Sequence, residues 1–246
     1  MMRGLGLFLG VALAQGAAPA LADCRQALAL GLDVSGSVDA REYRLQLGGL
    51  ASALDSAAIR GAFLTLPETP VALLVYEWSG PDDPMVILPW TDIRSDADLD
   101  AVVTRLLSTE RRTASPGTAL GKAMQLGADY LAERPDCLQH TLDISGDGKS
   151  NMGPHPTDVK RSLETSGITI NGLVIGADAP ALGDLRQAEI GELSSYYRAS
   201  VILGPDAFVE TALGFEDYAA AMARKLEREL RTLVFSRLEA PAPPPQ

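Results

Sequence analysis

Apolar runs and helical patterns alternate along most of this chain. Residues 27–33 (ALALGLD) are apolar up to the final aspartate, which is typical of a strand buried on both faces of a parallel sheet. In the next segment, apolar side chains recur every three or four residues, as they do along one face of a helix: Tyr43, Leu47, Leu50 and Leu54. The two patterns predict a first strand followed by a helix over residues 39–59.

The same alternation predicts the remaining elements. Further strands are expected at residues 71–78, 85–90, 138–144, 168–175 and 198–203. Further helices are expected at residues 96–107, 118–134, 157–166, 181–193 and 215–237. Strands separated by helices favour right-handed crossovers and a parallel sheet, but the connection from Trp78 to Met85 is long enough only for a hairpin. The predicted fold class is therefore α/β: a doubly wound, mostly parallel sheet with one antiparallel edge strand and helices on both faces.

The two ends of the chain differ from the region between them. Residues 1–22 carry one charge, Arg3, followed by an apolar run and the ending Ala-Leu-Ala, which is the pattern of a secretory signal peptide cleaved after Ala22. The apolar run is shorter than the roughly 20 residues that a membrane-spanning helix needs. Residues 240–246 are rich in proline and are expected to form a disordered tail. The sequence thus predicts one domain over residues 23–239 that is periplasmic or secreted.

The charge of the chain limits its partners. The formal net charge is −11, and removal of residues 1–22 takes away one arginine and no acid, so the exported form carries −12. Nucleic acids and anionic membranes are poor partners for such an acidic protein. No segment after Ala22 is long and apolar enough to span a bilayer. We therefore expect no nucleic-acid partner and no membrane span, and the sequence leaves the oligomeric state open.

Three polar clusters lie at strand ends or helix starts, where a doubly wound fold binds its ligands. They are the segments DVSGS at 33–37, SPGT at 115–118 and SGDG at 145–148. Their side chains offer oxygen atoms and include no histidine or cysteine, which suits a hard cation such as Mg²⁺, Mn²⁺ or Ca²⁺ better than zinc. Serine, aspartate and glycine are also common in turns and helix caps. The metal site is therefore indicated by all three clusters together and not by any one of them.

These clusters resemble the metal-ion-dependent adhesion site (MIDAS) of von Willebrand factor A (vWA) domains, which combines a DxSxS motif with a distant threonine and a distant aspartate. The matching residues are Asp33, Ser35, Ser37, Thr118 and Asp147. Within that class the chain resembles most a bacterial family of secreted proteins, domain of unknown function 1194. The resemblance implies a vWA fold over nearly all of the exported chain.

The resemblance also implies how each of the five residues would coordinate the ion. Ser35 and Ser37 would bind the ion directly, Thr118 directly or through water, and Asp33 and Asp147 largely through water. Since few carboxylates then neutralise the ion, an Asp or Glu side chain of a partner protein can complete its coordination. Mg²⁺ keeps waters and takes one or two carboxylates, so it is the expected ion, with Mn²⁺ and Ca²⁺ as alternatives. The implied function is non-catalytic, metal-dependent binding of a protein.

Two alternatives stay open at this point. Asp33 and the later GDG segment are also similar to haloacid-dehalogenase-like phosphatases, but Ser35 replaces the aspartate that acts there as general acid and base, and Asn151 replaces an acid of the late loop. The other alternative is a vWA scaffold with a purely structural role. His140 and His155 have no evident catalytic partner and are expected to be structural.

The two cysteines are expected to form a structural disulfide. An export signal would place Cys24 and Cys137 in an oxidising compartment. They lie at the entry ends of the strands that lead to Asp33 and Asp147. These strands are neighbours in the vWA family, so the resemblance implies a Cys24–Cys137 bond.

Four further side chains lie close to predicted strand ends. Glu77 and Trp78 end a strand at the edge that carries the metal site. They are candidates for a rim that contacts a partner, with a packed tryptophan and a solvated glutamate as the alternative. Tyr196 and Tyr197 are expected to pack at the entrance of the strand at residues 198–203.

Overall fold

A six-stranded sheet with helices on both faces forms the protein, as described by a computed structural model for residues 23–176 and 183–238. The predicted signal peptide and the proline-rich tail lie outside the described residues. The strands are β1 (Cys24–Asp33), β2 (Val71–Trp78), β3 (Met85–Ile93), β4 (Cys137–Gly146), β5 (Thr169–Ile175) and β6 (Val209–Ala212). The helices are α1 (Ala40–Asp55), α2 (Ala57–Phe63), α3 (Asp96–Ser108), α4 (Leu120–Ala132), α5 (Pro156–Ser162), α6 (Gly183–Ser200) and α7 (Tyr218–Leu238), the last preceded by a 3₁₀ turn at Phe215–Asp217.

The strand order is β3-β2-β1-β4-β5-β6, with β3 antiparallel to β2 and the other pairs parallel. This confirms the predicted fold class, including its antiparallel edge strand. β1 lies between β2 and β4, and all ten of its residues are buried because helices cover both faces of the sheet. The register places Asp33 beside Trp78, and Leu32 beside Ser145, so the carboxyl ends of three strands meet at one edge.

The core has two layers, one on each face of the sheet. Leu28, Leu30 and Leu32 of β1 belong to the layer that also contains apolar side chains of α1, α3 and α7. Ala27 and Ala29 point to the opposite face and pack in the layer that contains side chains of α4, α5 and α6. The alternation follows from the two-residue period of a strand.

The segment at residues 198–203 is helical at its start and does not form the predicted sixth strand. α6 continues to Ser200, which keeps Tyr197 and Val201 in the same buried layer, one helical turn apart. Leu203 makes only an isolated antiparallel bridge to Ile170, and the sixth strand is Val209–Ala212. The apolar residues that suggested a strand, Val201, Ile202 and Leu203, therefore follow the end of α6, and Leu203 alone of these pairs with the sheet.

Two predicted helices are shorter than expected. The helix predicted over residues 39–59 is interrupted at Ser56, whose backbone is extended (φ −66°, ψ 141°) and whose hydroxyl bonds the carbonyl of Ala53 at 2.8 Å. α5 ends at Ser162, and turns then lead to Gly167, which has a φ of +77°. Glycine adopts this left-handed backbone without the steric cost that other residues incur.

Candidate functional site

Four of the five predicted metal-site residues lie in direct contact at the carboxyl edge of the sheet. The Ser35 and Ser37 hydroxyl oxygens are 3.3 Å apart, and the Ser37 hydroxyl donates to Asp147 Oδ1 at 2.7 Å. The Ser35 amide donates to Asp33 Oδ1 at 2.8 Å. The loops after β1 and β4 thus bring together oxygen atoms that are about 110 residues apart in the sequence.

Thr118 lies in the adjoining loop that leads into α4. The Gly36 amide donates to the carbonyl of Pro116 at 3.2 Å, which joins this loop to the DVSGS segment. On its other side, the Asn151 side chain accepts from the Thr118 amide at 2.9 Å, and the Asn151 amide donates to the Thr118 carbonyl at 2.9 Å. Thr118 is almost fully buried. The SPGT cluster is therefore joined to the DVSGS cluster by a backbone hydrogen bond, and Asn151 joins it to the β4–α5 loop.

Asp33 is a fully buried acid, and Asp147, which is half-buried, lies close to it. Burial, and then the negative charge of Asp147, raise the pKa of Asp33 to about 7, against the opposing effect of the hydrogen bonds from Ser35. Burial also raises the pKa of Asp147, which the Ser37 hydroxyl opposes. The second oxygen of Asp33, Oδ2, is buried and has no hydrogen-bond partner among the described residues. This edge of the sheet thus holds two acids whose charges repel.

The donor set fits a hard divalent cation. Each of the five residues offers a hydroxyl or carboxylate oxygen, the ligand type that Mg²⁺, Mn²⁺ and Ca²⁺ prefer. A cation would offset the negative charges of the two acids. The residues present are therefore chemically suited to a metal ion.

Features needed by a phosphatase are absent from these loops. The side chain at position 35 is a serine, whose hydroxyl lies against Ser37 and cannot serve as a carboxyl acid and base. Asn151 bonds the backbone of Thr118, as described above. Positions 35 and 151 therefore do not supply the carboxyl groups that the phosphatase pattern has there.

Glu77 and Trp78 do not form an exposed rim, because their side chains are 1% and 2% exposed. The Tyr43 hydroxyl donates to Glu77 Oε1, and Arg112 Nε lies 3.5 Å from Glu77 Oε2. Burial raises the pKa of Glu77, while Tyr43 and Arg112 act in the opposite direction. Glu77 therefore neither contacts a partner nor faces solvent, and both predictions for this residue are wrong. Trp78 is packed in the interior, as the alternative to an exposed rim predicted.

The histidines have local structural contacts. His140 Nε2 lies 2.8 Å from the carbonyl of Arg134, and His155 Nδ1 accepts from the Thr157 amide at 3.3 Å as the N-cap of α5. Tyr197 lies within α6 and not at the entrance of a strand. Its pKa is raised well above its usual value, first by burial and then by Asp33 and Asp147, so it is close to both acids. Sequence patterns gave no sign of this proximity, nor of the role of Asn151.

The predicted disulfide is present between Cys24 and Cys137. These residues face each other at the entry ends of β1 and β4, with Cα atoms 4.3 Å apart, and they close a sequence separation of 113 residues. The bond joins the two strands whose opposite ends carry Asp33 and Asp147. It lies at the far end of these strands from the site.

Comparison with known proteins identifies the family. The model of a family described as protein of unknown function, DUF1194, matches residues 23–234. The chain belongs to the DUF1194 family. No curated protein matches this DUF1194 chain.

Solved structures show that the DUF1194 chain has a vWA-like fold. Proximal thread matrix protein 1 from the mussel byssus aligns with a TM-score of 0.58 and 17% identity over 85% of this chain and 49% of that one. BatB from Bacteroides thetaiotaomicron aligns with a TM-score of 0.51 and 15% identity, over 85% of this chain and 98% of that one. A von Willebrand factor type A protein from Catenulispora acidiphila aligns with a TM-score of 0.51 and 18% identity, over 85% of this chain and 43% of that one. The chain spans about half the length of the byssus protein.

One form of the byssus protein has a zinc-occupied MIDAS motif and aligns with a TM-score of 0.56 and 16% identity, over 85% of this chain and 46% of that one. At such identities the likeness concerns the fold alone. Among residues 23–176 and 183–238 of the DUF1194 chain, no helix is both long and apolar enough to cross a membrane.

Proposed function

We propose that this protein is a secreted or periplasmic vWA module that binds a protein partner through a divalent cation and catalyses no reaction. The observation that carries the proposal is the contact of Ser35, Ser37 and Asp147 beside buried Asp33, which has an unpartnered carboxylate oxygen. These groups lie at the carboxyl ends of the strands, where this fold class binds ligands.

The five oxygen-bearing residues would hold the ion as the MIDAS pattern implies. Ser35 and Ser37 are direct ligands, Thr118 binds directly or through water, and Asp33 and Asp147 act largely through water. Mg²⁺ fits this arrangement best because it retains several waters, and Mn²⁺ and Ca²⁺ are the alternatives. The bound ion supplies one open coordination position.

The partner is a protein that presents an Asp or Glu side chain to the open position. Ser37 is exposed, so the site can be reached from solvent at the carboxyl edge of the sheet. A carboxylate binds a hard cation through oxygen and adds negative charge where the protein has supplied few direct carboxylates. This chemistry makes binding of the partner dependent on the metal.

Export is supported by the cysteines and by the start of the sequence. A buried disulfide persists in oxidising compartments and is rare in the cytosol. The apolar start of the chain and its small-residue ending at Ala22 match a secretory signal.

The test is an affinity capture from an envelope extract with Mg²⁺, with chelator, and with the double variant Ser35→Ala and Ser37→Ala. Ser108→Ala plus Ser166→Ala is the matched control, because these exposed hydroxyls bond only local carbonyls or amides. Proteins retained by the wild type and the control, and lost with chelator and with the site variant, are the expected result. Identical captures in all four samples would contradict metal-dependent binding and favour a structural role.

Turnover assays separate this function from the phosphatase alternative. The purified protein with Mg²⁺ is expected to leave phosphate esters intact. Hydrolysis that disappears in Asp33→Asn would replace the binding function with phosphoryl transfer.

A further inference from the structure

Three side chains from three elements converge on Gly146, the last residue of β4. A Cβ atom at this position would lie 2.5 Å from the Tyr197 hydroxyl oxygen, 3.1 Å from Asp33 Oδ2 and 3.4 Å from Trp78 Cζ2. A side chain at position 146 would therefore displace at least one of these groups. The absence of a Cβ lets α6 and β2 place polar groups directly behind Asp33.

The ring of Tyr197 lies across two glycines on neighbouring strands. Besides its hydroxyl at Gly146, its Cδ1 atom would be 2.7 Å from a Cβ at Gly172 of β5. Tyr197 is completely buried. The two glycines fix the ring in a position that points its hydroxyl at the metal-site end of β1 and β4.

The polar atoms that meet there have complementary chemistry. The Tyr197 hydroxyl and the Trp78 indole N–H are donors, and Asp33 Oδ2 is an acceptor. All three are buried, and none has a hydrogen-bond partner among the residues that the structure describes. Leaving a buried polar group without a hydrogen bond destabilises the folded protein. The Tyr197 and Asp33 oxygens lie within about 6 Å of one another, a gap that one water spans or a small side-chain rotation closes.

We propose, on the basis of the proposed metal function, that Tyr197 is a positioning residue of the site. Its O–H donates to Asp33 Oδ2, directly or through one buried water that the Trp78 N–H also contacts. With Oδ1 already held by the Ser35 amide at 2.8 Å, this second bond fixes the rotation of the carboxylate. Partners of this kind behind a metal ligand orient it, and their removal weakens metal affinity about 10- to 100-fold.

The test compares Tyr197→Phe with Tyr76→Phe. Tyr197→Phe keeps the ring on its two glycines and removes only the hydroxyl. Tyr76 is an equally buried tyrosine of β2, and its hydroxyl donates to the carbonyl of Ala123 at 2.8 Å, away from the site. Calorimetry with Mn²⁺ is expected to give a Kd raised about tenfold or more for Tyr197→Phe and unchanged for Tyr76→Phe. The Tm without metal is expected to fall in both variants, because each loses a buried hydrogen bond, so the metal affinity and not the Tm distinguishes them.

A crystal structure of the wild type grown with chelator provides a second, metal-independent result. It is expected to show the Tyr197 hydroxyl bonded to Asp33 Oδ2 or to a water that both contact. Unchanged Mn²⁺ affinity in Tyr197→Phe, or equal losses in the two variants, would overturn the proposal. If the wild type bound no Mn²⁺, the proposed metal function would fail, and the crystal structure would still decide whether Tyr197 positions Asp33.

Discussion

At the residue scale, the two acids of the site differ from another acid, Asp143, in that no cationic side chain pairs with them. No lysine or arginine of the described part of the chain forms an ion pair with Asp33 or Asp147. Asp143, also on β4, is buried but has a cation beside it: its Oδ2 lies 2.7 Å from Lys225 Nζ. The contrast supports the proposed binding of a cation by the first pair of acids.

Asp143, Lys225 and Glu229 form a buried cluster in which one lysine pairs with two acids. This arrangement predicts a pH dependence of stability. Lys225 Nζ also lies 2.6 Å from Glu229 Oε1. Burial raises the pKa of Asp143 to about 7; Lys225 opposes this and Glu229 adds to it. An acid whose pKa is raised by folding stabilises the protein fully below the unfolded pKa, and this stabilisation is lost as the pH rises through the folded value. For Asp143 this loss of stability takes place between pH 3.8, the ordinary pKa of the side chain, and about pH 7, its pKa in the folded protein.

We therefore expect Asp143→Asn to reduce the loss of stability between about pH 5 and about pH 8. Asparagine has the shape of the protonated acid and does not ionise, so the variant should keep more of its Tm at the higher pH. A difference of about 1 kcal/mol corresponds to roughly 2–4 °C for a protein of this size. Thermal unfolding with chelator across this pH range is the measurement, with exposed Asp158→Asn as the control. Parallel pH profiles for the wild type and Asp143→Asn would contradict the assignment.

At the element scale, the disulfide ties the entry ends of β1 and β4, whose exit ends carry the site. With a sequence separation of 113 between the cysteines, the chain-entropy relation gives about 4–5 kcal/mol of stabilisation. Cys24→Ala plus Cys137→Ala should lose stability of this order in urea unfolding. Reduction should destabilise the wild type by a similar amount and leave the double variant unchanged. A loss below about 1 kcal/mol would show that the bond contributes little to folding.

The elements also show what the sequence could and could not predict. β1 and β2 were found because each is a nearly continuous apolar run, and β2 matches its predicted bounds. β6 was missed because VETA is a short edge strand with only one fully buried residue. The predicted strand at 198–203 was wrong because α6 extends to Ser200 and the apolar residues after it make only an isolated bridge to β5.

The candidate site was predictable to the extent that it follows a motif. Asp33, Ser35, Ser37 and Asp147 lie at adjacent strand ends, so the fold class alone brings them close. Tyr197 and Asn151 belong to no motif, and their positions depend on how α6 and the β4–α5 loop pack. The sequence shows glycine at positions 146 and 172, but not why a side chain is excluded there. The structure shows that the Tyr197 ring of α6 occupies the space that a Cβ atom would need.

At the scale of the whole molecule, the metal-site residues lie at the carboxyl ends of the central strands β1 and β4, and the disulfide joins the opposite ends of the same strands. Three loops reach the site edge from β1, from β4 and from the start of α4, and backbone hydrogen bonds join them. A vWA-like fold thus presents an oxygen-rich site on a rigid sheet, which is the arrangement that a metal-dependent binding module needs.

The central claim is that these oxygens bind a divalent cation, and calorimetry at pH 8 tests it most directly, because Asp33 is mostly ionised above its pKa of about 7. Mg²⁺ and Mn²⁺ are titrated into the wild type, into Ser35→Ala plus Ser37→Ala, and into the control Ser108→Ala plus Ser166→Ala. Saturable binding of one ion per chain is expected in the wild type and the control, with an affinity at least about tenfold lower in the site variant. The absence of saturable binding at millimolar metal in the wild type, or equal affinities in all three proteins, would contradict the claim.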